Sequence, residues 1–180
     1  DFCLSRGLGD VYKRQLEYLE KIQGLKNDKV AVITTYNSVC GVAEYSKDLY
    51  ENIEGSFRKV RYYANSDAER VFEDPSNLER TWEYSERDFK KTITSIEKFN
   101  PNIVLIQYNA PFYTLEALSS FISVTRKAGR RYILTIHSLP DSDYRKYLDV
   151  LGEIEAINVH SAKDMDCLLY TSPSPRDRQK

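Results

Sequence analysis

Polar side chains that exchange protons or pair with hydroxyls follow several short apolar runs of this sequence. The candidate site positions are Tyr36, Asn37, Cys40 and Gly41 after the first run, Gln107 and Asn109 after a later one, and His137 after the next. Amides hydrogen-bond hydroxyls, and an imidazole donates, accepts or exchanges a proton near neutral pH. The set therefore suits a hydroxyl-rich ligand, with His137 as the candidate for acid–base work. The same side chains are equally able to pin their own loops to backbone groups.

Gly41 stands where an apolar run gives way to a helical pattern, in VAVITTYNSVCGVAEYSKDLYENI (residues 30–53). A helix that begins there exposes unpaired backbone N–H groups and a positive dipole end, which favour a phosphate or a sugar hydroxyl. A glycine also lets a ligand approach the backbone closely. Two interpretations remain open, a ligand-binding glycine and a glycine that only closes a tight turn. Glu44, one turn later, would repel an anion lying directly above the helix end.

Two further residues have weaker functional interpretations. His160 ends an apolar run, and we interpret it as structural. Cys40 is a conceivable nucleophile at a helix N-terminus, where the thiolate is favoured, but the sequence shows no histidine partner for it.

Hydrophobic periodicity predicts the elements that position these residues. Apolar runs predict strands over residues 29–35, 58–63, 103–108, 132–136 and 156–159. A first helix is predicted over 16–25, and further helices should begin at Gly41, near Trp82 and at Ser161. Thr114 is predicted to cap a helix that ends near Gly129, and Asp141 to cap another. The polar, proline-containing segment 64–80 is predicted to be a loop. Strands that alternate with helices indicate an α/β fold, a Rossmann-like doubly wound parallel sheet whose ligands bind beyond the carboxyl ends of the strands.

Composition excludes several classes of protein. The 180 residues are 41% hydrophobic and 29% charged, with a net charge of -1, which is typical of a soluble domain and argues against a nucleic-acid partner. No apolar run approaches the roughly 18 residues of a transmembrane segment, and no secretory signal is visible, so we expect a cytoplasmic location, with peripheral membrane attachment also open. Three widely spaced cysteines and two histidines support neither a disulfide framework nor a metal site.

Familiar catalytic motifs do not occur. The dinucleotide fingerprint G-x-G-x-x-G needs three glycines after the first strand, where this chain has one. No Walker A loop and no G-x-S-x-G elbow is present. A nicotinamide-dependent enzyme is further disfavoured because Tyr63-Ala64-Asn65 at the end of the second strand carries no acidic residue.

The two ends of the chain differ from the rest. SRGLGDVYKRQ (residues 5–15) and CLLYTSPSPRD (residues 167–177) resemble the translation of a common sequencing adapter, read in opposite senses. We therefore predict that residues 1–15 and 167–180 are non-native and exclude them from the fold. Residues 16–166 are then an incomplete Rossmann-like domain. The other interpretation is an N-terminal arm and a Ser/Pro-rich tail.

Four phrases occur in order along the chain: VAVITTYNSVCGVAEYSKDL, NPNIVLIQYN, YILTIHSLP and AINVHSAKDMD. Together they resemble phrases of the retaining GT-B glycosyltransferases, the large family that includes sucrose synthases and cell-envelope sugar transferases. The resemblance implies the N-terminal, acceptor-side half of a GT-B fold. Cys40, Gly41 and Val42 would form the loop at the cleft, and His137 would lie near the transferred sugar.

The resemblance also implies what this chain lacks. A missing C-terminal domain would hold the nucleotide-sugar donor, and a sugar or lipid-linked molecule would be the acceptor. This domain would bind no cofactor of its own, and the fragment alone would be inactive as a transferase. The alternative is a stand-alone Rossmann-like binding module without catalysis.

Overall fold

The computed structural model describes residues 28–85, 88–127, 129–138 and 154–160. The predicted non-native ends, the helix over 16–25, the helix after Asp141 and the helix start at Ser161 lie outside these residues.

The described residues form a six-stranded, all-parallel sheet and three helices. The elements in chain order are β1 (Lys29–Ile33), α1 (Gly41–Ile53), β2 (Lys59–Asn65), β3 (Leu78–Trp82), α2 (Lys90–Phe99), β4 (Ile103–Asn109), α3 (Leu115–Thr125), β5 (Arg131–Ser138) and β6 (Ala156–Val159). A single 3-10 turn, Glu54–Ser56, follows α1. Five of the strands are those predicted from apolar runs.

The strand order is β3-β2-β1-β4-β5-β6, which confirms the Rossmann-like doubly wound fold. The chain moves outward from β1 to β2 and β3, then returns across β1 to form β4. The direction of winding therefore reverses between β1 and β4. In folds of this type the crevice at that reversal, beyond the carboxyl ends of the strands, is where ligands bind.

Apolar side chains cover both faces of the sheet. The alternation along β1 sends Val30 and Val32 into one core, and Ala31 and Ile33 into the other. Helix α1 packs on the face that carries Val30 and Val32, and helices α2 and α3 pack on the face that carries Ala31 and Ile33. The packing residues are Tyr45, Leu49 and Tyr50 in α1, Ile96 and Phe99 in α2, and Leu118 and Phe121 in α3. Burial on both faces explains why the central strands are continuous apolar runs.

The segment between β2 and α2 differs from the prediction. Leu78–Trp82, which include the last three residues of the predicted loop, form the edge strand β3, and Trp82 ends this strand instead of starting a helix. The Trp82 indole Nε1 donates to the Tyr63 carbonyl at 2.9 Å, which ties the strand to β2. The helix begins at Lys90. Charged residues such as Glu79 and Arg80 hide the strand from a search for apolar runs, and they are tolerated because an edge strand is only half-buried.

Candidate functional site

The predicted site residues lie at the carboxyl edge of the sheet, next to the reversal between β1 and β4. Gly41 begins α1 after β1, Gln107 and Asn109 lie at the end of β4, and His137 lies near the end of β5. Parallel pairing places these strand ends side by side. The sheet therefore brings Gln107, Asn109 and His137 together.

His137 is the centre of a hydrogen-bonded chain of side chains. Its Nε2 lies 2.7 Å from Gln107 Oε1, and its Nδ1 lies 2.8 Å from His160 Nε2. Gln107 is fully buried, and its Nε2 donates to the Tyr50 hydroxyl oxygen at 2.5 Å. The chain thus runs from Tyr50 in the core, through Gln107 and His137, to His160 at the edge of the sheet.

Aromatic contacts hold the two imidazole rings from one side. The ring of Tyr45, from α1, meets His137 edge-on with a centroid distance of 5.0 Å and His160 with a distance of 5.6 Å. The two imidazole centroids are 4.5 Å apart. Such edge-on arrangements are favourable between aromatic rings.

The environment of His137 keeps its ring neutral. Burial lowers the pKa of His137 to about 3, and the neighbouring His160 acts in the same direction. Because both ring nitrogens are already bonded to protein atoms, the ring is held in one orientation. Burial likewise raises the pKa of the Tyr50 hydroxyl far above its usual value, so that end of the chain also stays neutral.

Gly41 is exposed and has an ordinary backbone conformation. A Cβ atom built at this position meets no other atom within 4 Å. Neither a left-handed backbone nor close packing therefore requires a glycine here. The open space lies directly at the first turn of α1, where Glu44 is the acidic residue.

Asn37 holds a loop of the protein. Its side-chain Nδ2 donates to the Phe72 carbonyl at 2.6 Å and to Asp74 at 2.8 Å, and its Oδ1 accepts from the backbone N–H groups of Val71 and Phe72. The residue has a left-handed backbone, with φ of 52°. Its amide thus fixes the segment between β2 and β3 beside the end of β1.

The remaining predicted residues have mixed surroundings. Tyr36 stacks on Tyr62 with a centroid distance of 5.0 Å, and Val42 is buried in the core. Cys40 is half-buried, and its sulfur accepts a hydrogen bond from the Thr35 hydroxyl at 3.7 Å. Asn109 Oδ1 accepts from the hydroxyl of Ser138 across the β4–β5 pair.

His160, Tyr45 and Tyr50 contact the candidate residues His137 and Gln107, although the sequence did not predict these contacts. One sequence signal pointed to His160. It directly follows the apolar run 156–159, just as His137 directly follows the run 132–136. Ile136 pairs with Val159, so residues 137 and 160 are the next positions along neighbouring parallel strands.

Comparison with known proteins identifies no family for this chain. No protein-family model matches the chain, and no curated protein or solved structure has significant similarity to it. Within the described residues, no helix has the length and apolar character needed to cross a membrane, and no three His, Cys, Asp or Glu side chains gather as metal ligands.

Proposed function

We propose that residues 16–166 form the acceptor-side domain of a retaining GT-B glycosyltransferase. A second Rossmann-like domain of the whole protein would hold the nucleotide-sugar, and the domain described above would present a sugar or lipid-linked acceptor in the cytoplasm. The chain alone then transfers no sugar, because the donor would have no binding domain.

The observation that carries this proposal is the position of the four glycosyltransferase-like phrases in the sheet. They contain β1, β4, β5 and β6, which are neighbours in the strand order. Every phrase therefore contributes its loop or strand end to one continuous stretch of the carboxyl edge. Ligands of doubly wound folds bind along this edge.

The surroundings of Gly41 support a ligand that approaches the backbone. The residue has open space on its side-chain position and no conformational need to be glycine. In the first turn of α1 the N–H groups of Ala43 and Glu44 donate to the Cys40 carbonyl, so the first two helical residues are the ones that would meet a ligand. Glu44 disfavours an anion directly above them. Sugar hydroxyls satisfy both conditions, since they are neutral and accept hydrogen bonds.

His137 takes part as a neutral, oriented contact in this proposal. An imidazole whose pKa lies near 3 is neutral at pH 7, so it has no second ring proton to release as a general acid. Gln107 holds the ring from within the core, and the half-buried His137 and Asn109 lie at the carboxyl edge where a sugar would bind. Proton transfer is left to groups of the acceptor, the donor or the second domain.

The end of β2 offers little to a nicotinamide cofactor. Asn65 stands at the position where dinucleotide-binding folds use an acidic residue for the ribose. Asp67, two residues later, already accepts from the Tyr84 backbone N–H at 2.9 Å and from Asn65 Nδ2 at 3.2 Å. Both carboxylate oxygens are therefore engaged by the protein.

Titration of the ¹⁵N-labelled chain with simple ligands tests the binding part of the proposal. Methyl glycosides of common hexoses are expected to shift the amide signals of Gly41, Gln107 and His137, whereas NADH and NADPH are expected to leave them unchanged. Saturable binding of either nicotinamide, or no shift with any glycoside at concentrations up to the solubility limit, would overturn an acceptor site. Sugar transfer from UDP- or GDP-hexoses by this chain would refute the need for a second domain.

Sequencing the gene on both sides of residues 16–166 tests the domain organisation. A reading frame that continues into a second α/β domain with an E-x7-E motif supports the transferase. A stop codon close after Asp166 supports the stand-alone binding module.

A further inference from the structure

The direction of the hydrogen bonds along the chain from Tyr50 to His160 follows from the chemistry of the Gln107 amide. Its nitrogen donates to the Tyr50 hydroxyl oxygen, so its oxygen faces His137 Nε2. An amide oxygen only accepts, and the proton in that bond must therefore sit on His137 Nε2.

The same reasoning continues to the next bond. A neutral imidazole has one N–H, and in His137 it is used on Gln107, so Nδ1 is an acceptor. His160 Nε2 lies 2.8 Å from that acceptor. The proton between the two rings therefore belongs to His160.

We propose that His160 is a positioning residue, whose Nε2–H donates to His137 Nδ1 and fixes the His137 ring in its orientation towards Gln107. The value of this role for sugar binding rests on the proposed function, but the role itself does not. A second histidine is well suited to this task because it is a planar donor that packs on Tyr45 together with His137.

The contact is built into the sheet. His137 and His160 follow the paired residues Ile136 and Val159 of β5 and β6, so backbone pairing brings the rings together. Both histidines are half-buried, which limits competition from water. Among the described residues, the His137 ring contacts three different elements: Gln107 in β4, His160 after β6 and Tyr45 in α1. Removal of the His160 donor leaves the ring with Gln107 as its hydrogen-bonding partner among these three.

NMR of the complete ¹⁵N-labelled chain at pH 7.5 tests the proposal directly. The sequence contains two histidines, so the imidazole spectrum is simple to assign. We expect a protonated Nε2 and an unprotonated Nδ1 in His137, a protonated Nε2 in His160, and a scalar coupling across the bond between His160 Nε2 and His137 Nδ1. A proton on His137 Nδ1, or no coupling, would overturn the assignment.

Two variants separate positioning from a general contribution to stability. In His160→Gln, the amide N–H can reach the place of the imidazole Nε2–H, so the hydrogen-bonded signal of His137 Nδ1 should persist. In His160→Leu, that signal should move to the position of an unbonded nitrogen, and the contacts between the His137 ring and Tyr45 should change. Unchanged His137 signals in the leucine variant would contradict the role. If the leucine variant does not fold, the coupling in the native chain and the signals of the glutamine variant still decide the matter.

These readouts need no sugar. Loss of the coupling overturns the positioning role alone. An intact coupling in a chain that binds no glycoside overturns the proposed function alone.

Discussion

Asp74 and Arg80 form a two-point ion pair beneath the segment that joins β2 to β3. Arg80 Nε lies 2.8 Å from Asp74 Oδ2, and its Nη2 lies 2.7 Å from Asp74 Oδ1. The guanidinium also donates to the carbonyl of Asn65 at 2.6 Å. The Arg80 side chain is 8% exposed, so this pair is largely removed from water. The pair ties Asp74 to β3, within a segment, residues 66–77, that connects two parallel strands without a helix.

Loss of the Arg80 charge should destabilise the protein strongly. Arg80→Met keeps much of the length of the side chain but leaves Asp74 without its closest cation, and we expect the free energy of unfolding to fall by about 3 kcal/mol. Arg70→Met is the matched control, because Arg70 approaches the same carboxylate at 3.5 Å and is 62% exposed. Its cost should stay below about 1 kcal/mol. Urea denaturation measures both, and equal losses would show that the contact with Arg80 has no special weight.

The periodic, well-buried elements were predictable from the sequence, and the edge strand was not. A central strand such as β4 is apolar at nearly every position because both of its faces are covered. Strand β3 has the sequence LERTW with three half-buried residues, so its apolar pattern is weak. Its formation depends on pairing with β2 and on the Trp82 indole, which are contacts between distant residues.

The gathering of the candidate residues at one edge of the sheet was predictable, but the contacts between their side chains were not. Backbone pairing alone places Gln107 near His137, because the ends of neighbouring parallel strands meet at one edge of the sheet. The interpretation of His160 as structural missed its bond to His137, because strand order and register decide that contact. Asn37 was a candidate for ligand binding from its residue type, whereas the structure shows its amide holding the backbone of residues 71 and 72.

The Thr114 hydroxyl should contribute to stability as a helix cap. It accepts a hydrogen bond from the Ala117 backbone N–H at 3.1 Å at the start of α3, as the sequence predicted. Thr114→Ala is expected to lower the free energy of unfolding by about 1 kcal/mol, and Thr114→Ser to retain most of it. Thr94 is the matched control, since it is also exposed but donates to the Lys90 carbonyl within α2. Thermal and urea unfolding of Thr94→Ala should show no loss or a small gain, because alanine is the better helix former.

Acidification should destabilise the protein through His137 before carboxylates titrate. The pKa of this imidazole is about 3 in the folded protein and 6.5 without burial, so the unfolded chain binds the proton first as the pH falls. The contribution of His137 to the free energy of unfolding is therefore fully present above pH 6.5. Below that pH it falls by at most about 1.4 kcal/mol per pH unit, down to pH 3. Urea denaturation at pH 7.5, 6.5 and 5.5 covers the part of this range that lies above the pKa values of the carboxylates.

His137→Gln is the control for the pH dependence. The variant lacks the titrating ring, so its stability should change less between pH 7.5 and 5.5 than that of the native chain. The lowered pKa values of Asp74 and Glu97 act in a different window, because their stabilisation is lost as the pH falls below about 4. The same slope in the variant and the native chain would assign the effect to other groups.

Gly41 and Gly129 should respond in opposite ways to alanine. Gly129 has a φ of +82° in the turn after α3, where its left-handed backbone disfavours any side chain with a Cβ atom. Gly129→Ala is expected to lower the free energy of unfolding by about 1 kcal/mol. Gly41→Ala meets no atom within 4 Å and needs no change of backbone, so stability should be unchanged or higher by up to about 1 kcal/mol.

If Gly41 serves ligand approach, the alanine variant should nevertheless lose the amide shifts that methyl glycosides cause at Gln107 and His137. A stable Gly41→Ala protein with undiminished glycoside binding would remove Gly41 from the site, and a destabilised one would show that the turn before α1 requires glycine after all.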